Sequence, residues 1–177
     1  FYYKLTIGKY SLNKNNKPNK KMIIASLTSY GFRINNSWIA IESIFRQKVK
    51  PDKIILWISK DDKRYLTNNK FLKKQIKKGL EINFVEDIKA HTKYYYSFQK
   101  YPNELIITFD DDIFYTINTI SELLKTKKLF PNCIVSNRCH EINFNVREGM
   151  IKSYNLWKHQ ISKSHKPSHY LFATGVG

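Results

Sequence analysis

From residue 22 onward, short apolar runs alternate with stretches whose apolar residues recur every three or four positions. Residues 22–27 read as a buried strand. Asn36 is a candidate cap for a helix carrying Trp38, Ile41, Ile44 and Phe45 on one side, and Pro51 stops anything helical. Residues 53–58 form the next predicted strand. A helix comes next over 64–78, where Leu66, Phe71, Leu72 and Ile76 make an apolar stripe that ends at Gly79. Residues 81–85 alternate like a strand, 92–101 return to helix, and 104–109 form the continuous apolar run of a strand covered on both faces. A helix over 117–127, with Ile117, Ile120, Leu123 and Leu124, leads through Pro131 to a fifth strand at 133–135. Strict alternation predicts an α/β fold with a mostly parallel, Rossmann-like sheet and helices on both faces. Residues 9–21 are polar, aperiodic and contain Pro18, so 1–21 read as an arm or linker ahead of a domain over 22–177. After residue 140 the periodic signal thins.

At 177 residues the chain has the size of one ordinary domain, and a 42% hydrophobic content suffices to build its core. Its apolar runs, such as 54–58, fall far short of the roughly 20 residues of a membrane span. Two cysteines, Cys133 and Cys139, are too few to staple a fold, so reduced thiols and a cytoplasmic location are expected. The start at Phe1 and the end at Gly177 read as those of a fragment. The 31 basic residues against 14 acidic ones give a net charge of +17, which attracts polyanions. Only five of the 31 are arginines, whereas base-edge readers favour the guanidinium fork, so specific nucleic-acid recognition is not expected. What remains is a solvated basic surface with an affinity for phosphates, acidic glycans or the anionic inner face of a membrane.

The sharpest chemical signal is Asp110-Asp111-Asp112, directly after the apolar run 105–109. Crowded carboxylates repel unless a cation sits among them, and hard oxygens select Mg2+ or Mn2+. Strand alternation predicts that Asp110 and Asp112 point the same way and Asp111 elsewhere. The C-terminal edge of a parallel strand is also the usual ligand crevice of an open α/β sheet. The plain alternative is an acidic loop ahead of a helix. Histidines 159, 165 and 169 lie among lysines and read as solvated, while Cys139-His140-Glu141 comes after the fifth strand with no role fixed locally.

Together with Met22-Ile23-Ile24-Ala25-Ser26-Leu27-Thr28-Ser29-Tyr30, the triplet resembles the DxD-containing GT-A glycosyltransferases of bacterial surface-polysaccharide assembly. Residues 41–47 before 51–57, residues 91–96, and Tyr101-Pro102-Asn103-Glu104 before the triplet fit the same family, so the resemblance spans about 22–140. It implies a GT-A-like domain that moves a sugar from a nucleoside-diphosphate sugar to a glycan or lipid-linked acceptor, with Mn2+ or Mg2+ bridging the diphosphate. By position it assigns Asp110 and Asp112 to the metal, and Ser26, Thr28, Arg33, Asp61, Lys93, Asp110 and Asp111 to the nucleotide. No residue is assigned as the catalytic base, which in the family commonly lies after a Gly-rich segment that 173–177 would begin. Two other readings stay open: another Mg2+-dependent phosphoryl-transfer enzyme on an α/β sheet, and a non-catalytic domain that binds a nucleotide or an acidic glycan. Phe114 departs from the DxDx(T/V) phosphatase pattern, and the triplet lies after the fourth strand rather than the first.

Overall fold

The structure is a computed structural model that describes Leu12, residues 20–66, 69–145, 147–161 and 168–173, and Gly177. The chain divides into two compact units, Phe1–Ser121 and Glu122–Gly177. The first holds a sheet of four parallel strands, β1 (Ile23–Thr28), β2 (Lys53–Ser59), β3 (Leu80–Val85) and β4 (Leu105–Phe109), in the order β3-β2-β1-β4. This is the α/β architecture that the alternating pattern predicts.

Pairing of Ser26 with Ile55 and Thr108 puts the even positions of β1 on one face of the sheet and Ile23, Ala25 and Leu27 on the other. Ile24, Ile55 and Trp57 form the core of the first face, with Tyr96 and Tyr101 packed on them. Helix α3 (Thr92–Lys100) is fastened there by a buried polar knot. The Trp57 indole N–H donates to Ser26 Oγ at 3.0 Å and to Ser97 Oγ at 2.9 Å, and the two hydroxyls lie 2.7 Å apart. The opposite face is sealed as well: Ala25, Leu27, Ile54, Leu56, Ile58 and Phe109 are all buried. Helix α1 (Trp38–Phe45) has seven of its eight residues buried.

Two buried side chains of the α1 region fix the segment after β4. Ser43 Oγ accepts from the Tyr115 amide at 3.1 Å. Gln47 Nε2 donates to the Ser43 and Thr116 carbonyls, and its Oε1 accepts from the Ile120 amide at 3.0 Å. The start of β1 is pinned as well, because the Ile23 amide donates to Asp52 Oδ2 at 2.7 Å and the Met22 amide donates to Glu104 Oε2. Both acids belong to stretches that carry the family resemblance, and here they satisfy the first donors of the central strand.

Three predicted elements differ. The helix expected over 64–78 is a 3-10 turn at Lys60–Tyr65 succeeded by α2 (Lys70–Ile76). Asn69 caps α2 by accepting from the amides of Phe71 and Leu72, so the later cap decides where the helix starts. The chain leaves α2 through Gly79 at φ +109°, a conformation that disfavours any side chain. Asn36 does not cap α1: a 3-10 turn, Gly31–Asn35, runs into the helix, and the Ser37 hydroxyl turns back to the Ile34 carbonyl. The fifth strand predicted at 133–135 does not form, and Ile134 is 90% exposed. Its apolar residues have no sheet neighbour to pair with, and β-propensity alone does not hold a strand.

The second unit carries α4 (Thr119–Leu129) beyond Ser121 and a small antiparallel sheet with β5 (Cys139–Glu141) as its middle strand. The flanking strands are β8 (Lys158–Ile161) and β9 (Leu171–Ala173), and β6 (Phe144–Asn145) pairs with β7 (Met150–Ile151) as a separate ribbon. Among the described residues no helix is long and apolar enough to cross a membrane. Of the predicted arm over 1–21, only Leu12, Lys20 and Lys21 are described residues.

Gln47 gives a direct check on how the post-β4 segment is held. Replacing it by Leu strands the Ile120 amide and removes one of the donors to the Thr116 carbonyl, which keeps its bonds from Thr119, and should destabilise the first unit by about 2 kcal/mol. Urea unfolding of Gln47→Leu measures this, and an unchanged midpoint would show that other contacts hold the segment.

Candidate functional site

In the order β3-β2-β1-β4, the chain winds to one side of β1 and then returns to the other, so the topological switch point lies between β1 and β4. Leu27 pairs with Phe109, which sets the C-terminal ends of these strands level. The two segments leaving these ends meet across the crevice, with Ser29 and the turn holding Arg33 on one side and Asp110, Asp111 and Asp112 on the other.

Asp111 is the centre of this junction. Its side chain is 7% exposed, it accepts from the Ser29 hydroxyl, and both its oxygens accept from Arg33, from Nε at 3.2 Å and from Nη2. The same Nη2 lies 2.9 Å from Asp112 Oδ2, and the Tyr30 ring stands 5.1 Å from the guanidinium. The hydrogen bond to Asp111 lifts the guanidinium further above its already high range, against a smaller opposing effect of burial. Arg33 is therefore a permanent cation here. Asp110 turns to the α3 face and pairs with Lys93 Nζ at 2.7 Å. Its amide donates to the Tyr115 hydroxyl at 2.7 Å, and burial raises the Tyr115 phenol well above its usual value of 10.0.

The expected orientation of the triplet is thus corrected. β4 ends at Phe109, so the alternation that separates Asp110 from Asp111 stops there, and a turn brings Asp112 to the same guanidinium as Asp111. Asp111 and Asp112 line an open cleft of about 400 Å³ together with Arg33, Asn36, Ile39 and Ala40. The first turn of α1 supplies the last two.

The other sequence candidates lie apart from this lining. Ser26 is fully buried under α3, where its hydroxyl donates to the Lys93 carbonyl and joins the Trp57 knot. Thr28 Oγ1 donates to the Trp57 carbonyl at 3.0 Å, closing the end of β1 against β2. Asp61 is exposed in the turn after β2, with its amide bonded to Ser59 Oγ. Sequence reasoning misses Tyr115 and the cleft-facing turn of α1, which no local motif marks. Ser29 lies within the stretch that carries the resemblance, yet the hydroxyls within the strand are the ones that stretch points to. In the second unit the His140 and His159 rings stack edge to face at 4.6 Å, and His165 lies outside the described residues. Among the described residues no group of three or more His, Cys, Asp or Glu is placed to hold a metal ion.

No protein-family model matches the chain, and no curated protein matches its sequence. Among solved structures it is similar to a mannosyltransferase, PcManGT from Pyrobaculum calidifontis in complex with GDP-Man and Mn2+, with 10% identity and a TM-score of 0.49. The likeness covers 83% of this chain and 43% of the mannosyltransferase, so the chain spans less than half of that protein's length.

Burial separates the roles of the acids in the absence of ligand. Asp111→Asn removes a charged acceptor from Ser29 and Arg33 and should cost about 2 kcal/mol. Asp112, at 61% exposed, should cost well under about 1 kcal/mol as Asn. Chemical denaturation of the two variants checks the order, and equal losses would contradict it. Tyr115 predicts a pH effect. Its folded pKa is raised above the unfolded value of 10.0, so its contribution to stability is complete below pH 10 and is lost as pH rises past it. Ultraviolet titration of phenolate in the folded protein should show a late-ionising component that Tyr115→Phe removes.

Proposed function

We propose that the first unit is the donor-binding part of a metal-dependent glycosyltransferase with a GT-A-like fold, which moves a sugar from a nucleoside-diphosphate sugar to a glycan or lipid-linked acceptor. The observation that carries this reading is the meeting of Asp111, Asp112 and Arg33 beside an open cleft at the β1/β4 switch point. Open parallel sheets bind nucleotides in that crevice, and a cleft bearing both carboxylates and a fixed cation suits a ligand that brings phosphates together with a metal ion. The five sequence stretches that resemble bacterial surface-polysaccharide transferases converge on the same unit.

Two neighbouring carboxylates are a partial oxygen donor set of the kind that Mn2+ or Mg2+ accepts when a ligand completes it. Asp112 presents an exposed carboxylate at the cleft, Asp111 stands beside it, and such ions take their remaining oxygens from phosphate and water. When bound, the cation supplies Lewis-acid stabilisation of the departing nucleoside diphosphate. Arg33 adds a guanidinium fork matched to phosphate oxygens. Lys93 compensates Asp110 on the α3 face, and the buried Tyr115 hydroxyl holds the Asp110 amide so that the triplet keeps its place.

Thermal-shift measurements with UDP and GDP, each with and without Mn2+, test the reading. The expected result is a small rise in melting temperature with Mn2+ alone and a larger one with a nucleoside diphosphate present, by linkage. Asp112→Asn should abolish the metal-dependent part. A shift with single-stranded DNA and none with either nucleotide would overturn the proposal and make the basic surface the functional one.

A further inference from the structure

Arg33 engages both carboxylates that line the cleft, bonding Asp111 through two nitrogens and Asp112 through the nearer of them at 2.9 Å. A divalent cation on these carboxylates would lie within a few ångströms of the guanidinium, and the two positive charges repel one another. The guanidinium has room to turn: its side chain is 42% exposed, and it already lines the cleft beside Asn36 and Ile39.

Resting on the function proposed above, we infer that Arg33 is a built-in counter-cation, displaced from Asp112 when a divalent ion binds and then turned to the diphosphate that arrives with it. The resting pair keeps the carboxylates compensated and lowers the apparent affinity for metal by the fraction of molecules in which they are engaged. A guanidinium displaced from Asp112 keeps its contact with Asp111 and loses one anionic partner, which the phosphates replace. Metal and nucleotide therefore favour one another through a single side chain, and by linkage the coupling is equal in both directions. Lys93 takes no part, because it is held by Asp110 on the α3 face.

The test is Mn2+ binding to the nucleotide-free protein, read by electron paramagnetic resonance, for wild type, Arg33→Met and Arg33→Lys. Arg33→Met should bind Mn2+ about tenfold more tightly than wild type and gain more melting temperature from it. Its affinity for GDP or UDP at saturating Mn2+ should fall by about tenfold. A role confined to holding the site together would weaken both ligands, so the opposite signs are diagnostic. Arg33→Lys, which keeps the charge and loses the fork, should move in the same two directions by less, and it carries the test if Arg33→Met does not fold. Unchanged or weaker Mn2+ binding by the variants, with normal nucleotide binding by wild type, overturns this inference and leaves the proposed function standing. Absence of Mn2+-dependent nucleotide binding by wild type overturns both.

Discussion

β1 is hydrogen-bonded along both edges by parallel strands, and that one pairing arrangement determines most of what the first unit can do. A parallel neighbour has to be reached by a crossover, so the connections leave β1 and β4 at the same end and must part there. The gap between them is a consequence of strand order and needs no special residue to open it. Asp52 and Glu104 secure the other end of β1 by taking its first two amides. With that end satisfied, what varies at the switch point is the chemistry of the few side chains just beyond Thr28 and Phe109.

Those side chains are held from two directions. From the α1 side, Ser43 and Gln47 bond the backbone of 115–120, and Tyr115 packs edge to face on Phe109 with ring centroids 4.8 Å apart. From the other side, α3 is locked by Ser97 and carries Lys93 in its first turn. The triplet thus sits between two rigid supports, and its charge is largely balanced within the unit by one arginine and one lysine. This explains how three adjacent carboxylates are tolerated at the end of a well-buried strand without unfolding it.

How much of this the sequence disclosed depended on the range of the interactions. Strands β1 to β4 were legible because each is a continuous or alternating apolar run, and a sheet buried on both faces demands such runs. The helix at 92–100 was legible for the same local reason. The helix after β2 was misplaced because an apolar stripe extends to Leu66, while the start is set by Asn69, a short polar side chain with a purely local effect. The strand expected at 133–135 failed because nothing in a short apolar run says whether an edge is free to receive it. At the site, Asp110 to Asp112 stood out by type and position, while Arg33 and Lys93 were singled out through the family resemblance. That Asp111 and not Asp110 shares Arg33 with Asp112 depends on the residue at which β4 ends, and no periodicity specifies it. The setting of Ser26 was hidden for a related reason: whether a hydroxyl at an inward position of a strand bonds the helix above it depends on a packing partner far away in sequence.

The knot under α3 gives the molecule an optical property. Trp57 is nearly inaccessible to solvent, its indole N–H is shared by two serine hydroxyls, and Tyr96 lies 5.6 Å from its ring. Ser26, one of those hydroxyls, also bonds the carbonyl of Lys93, the residue that reaches Asp110. The Lys93 backbone is thus two hydrogen bonds from a chromophore whose emission is sensitive to hydrogen bonding, so a shift of the first turn of α3 would reach the indole through a single hydroxyl.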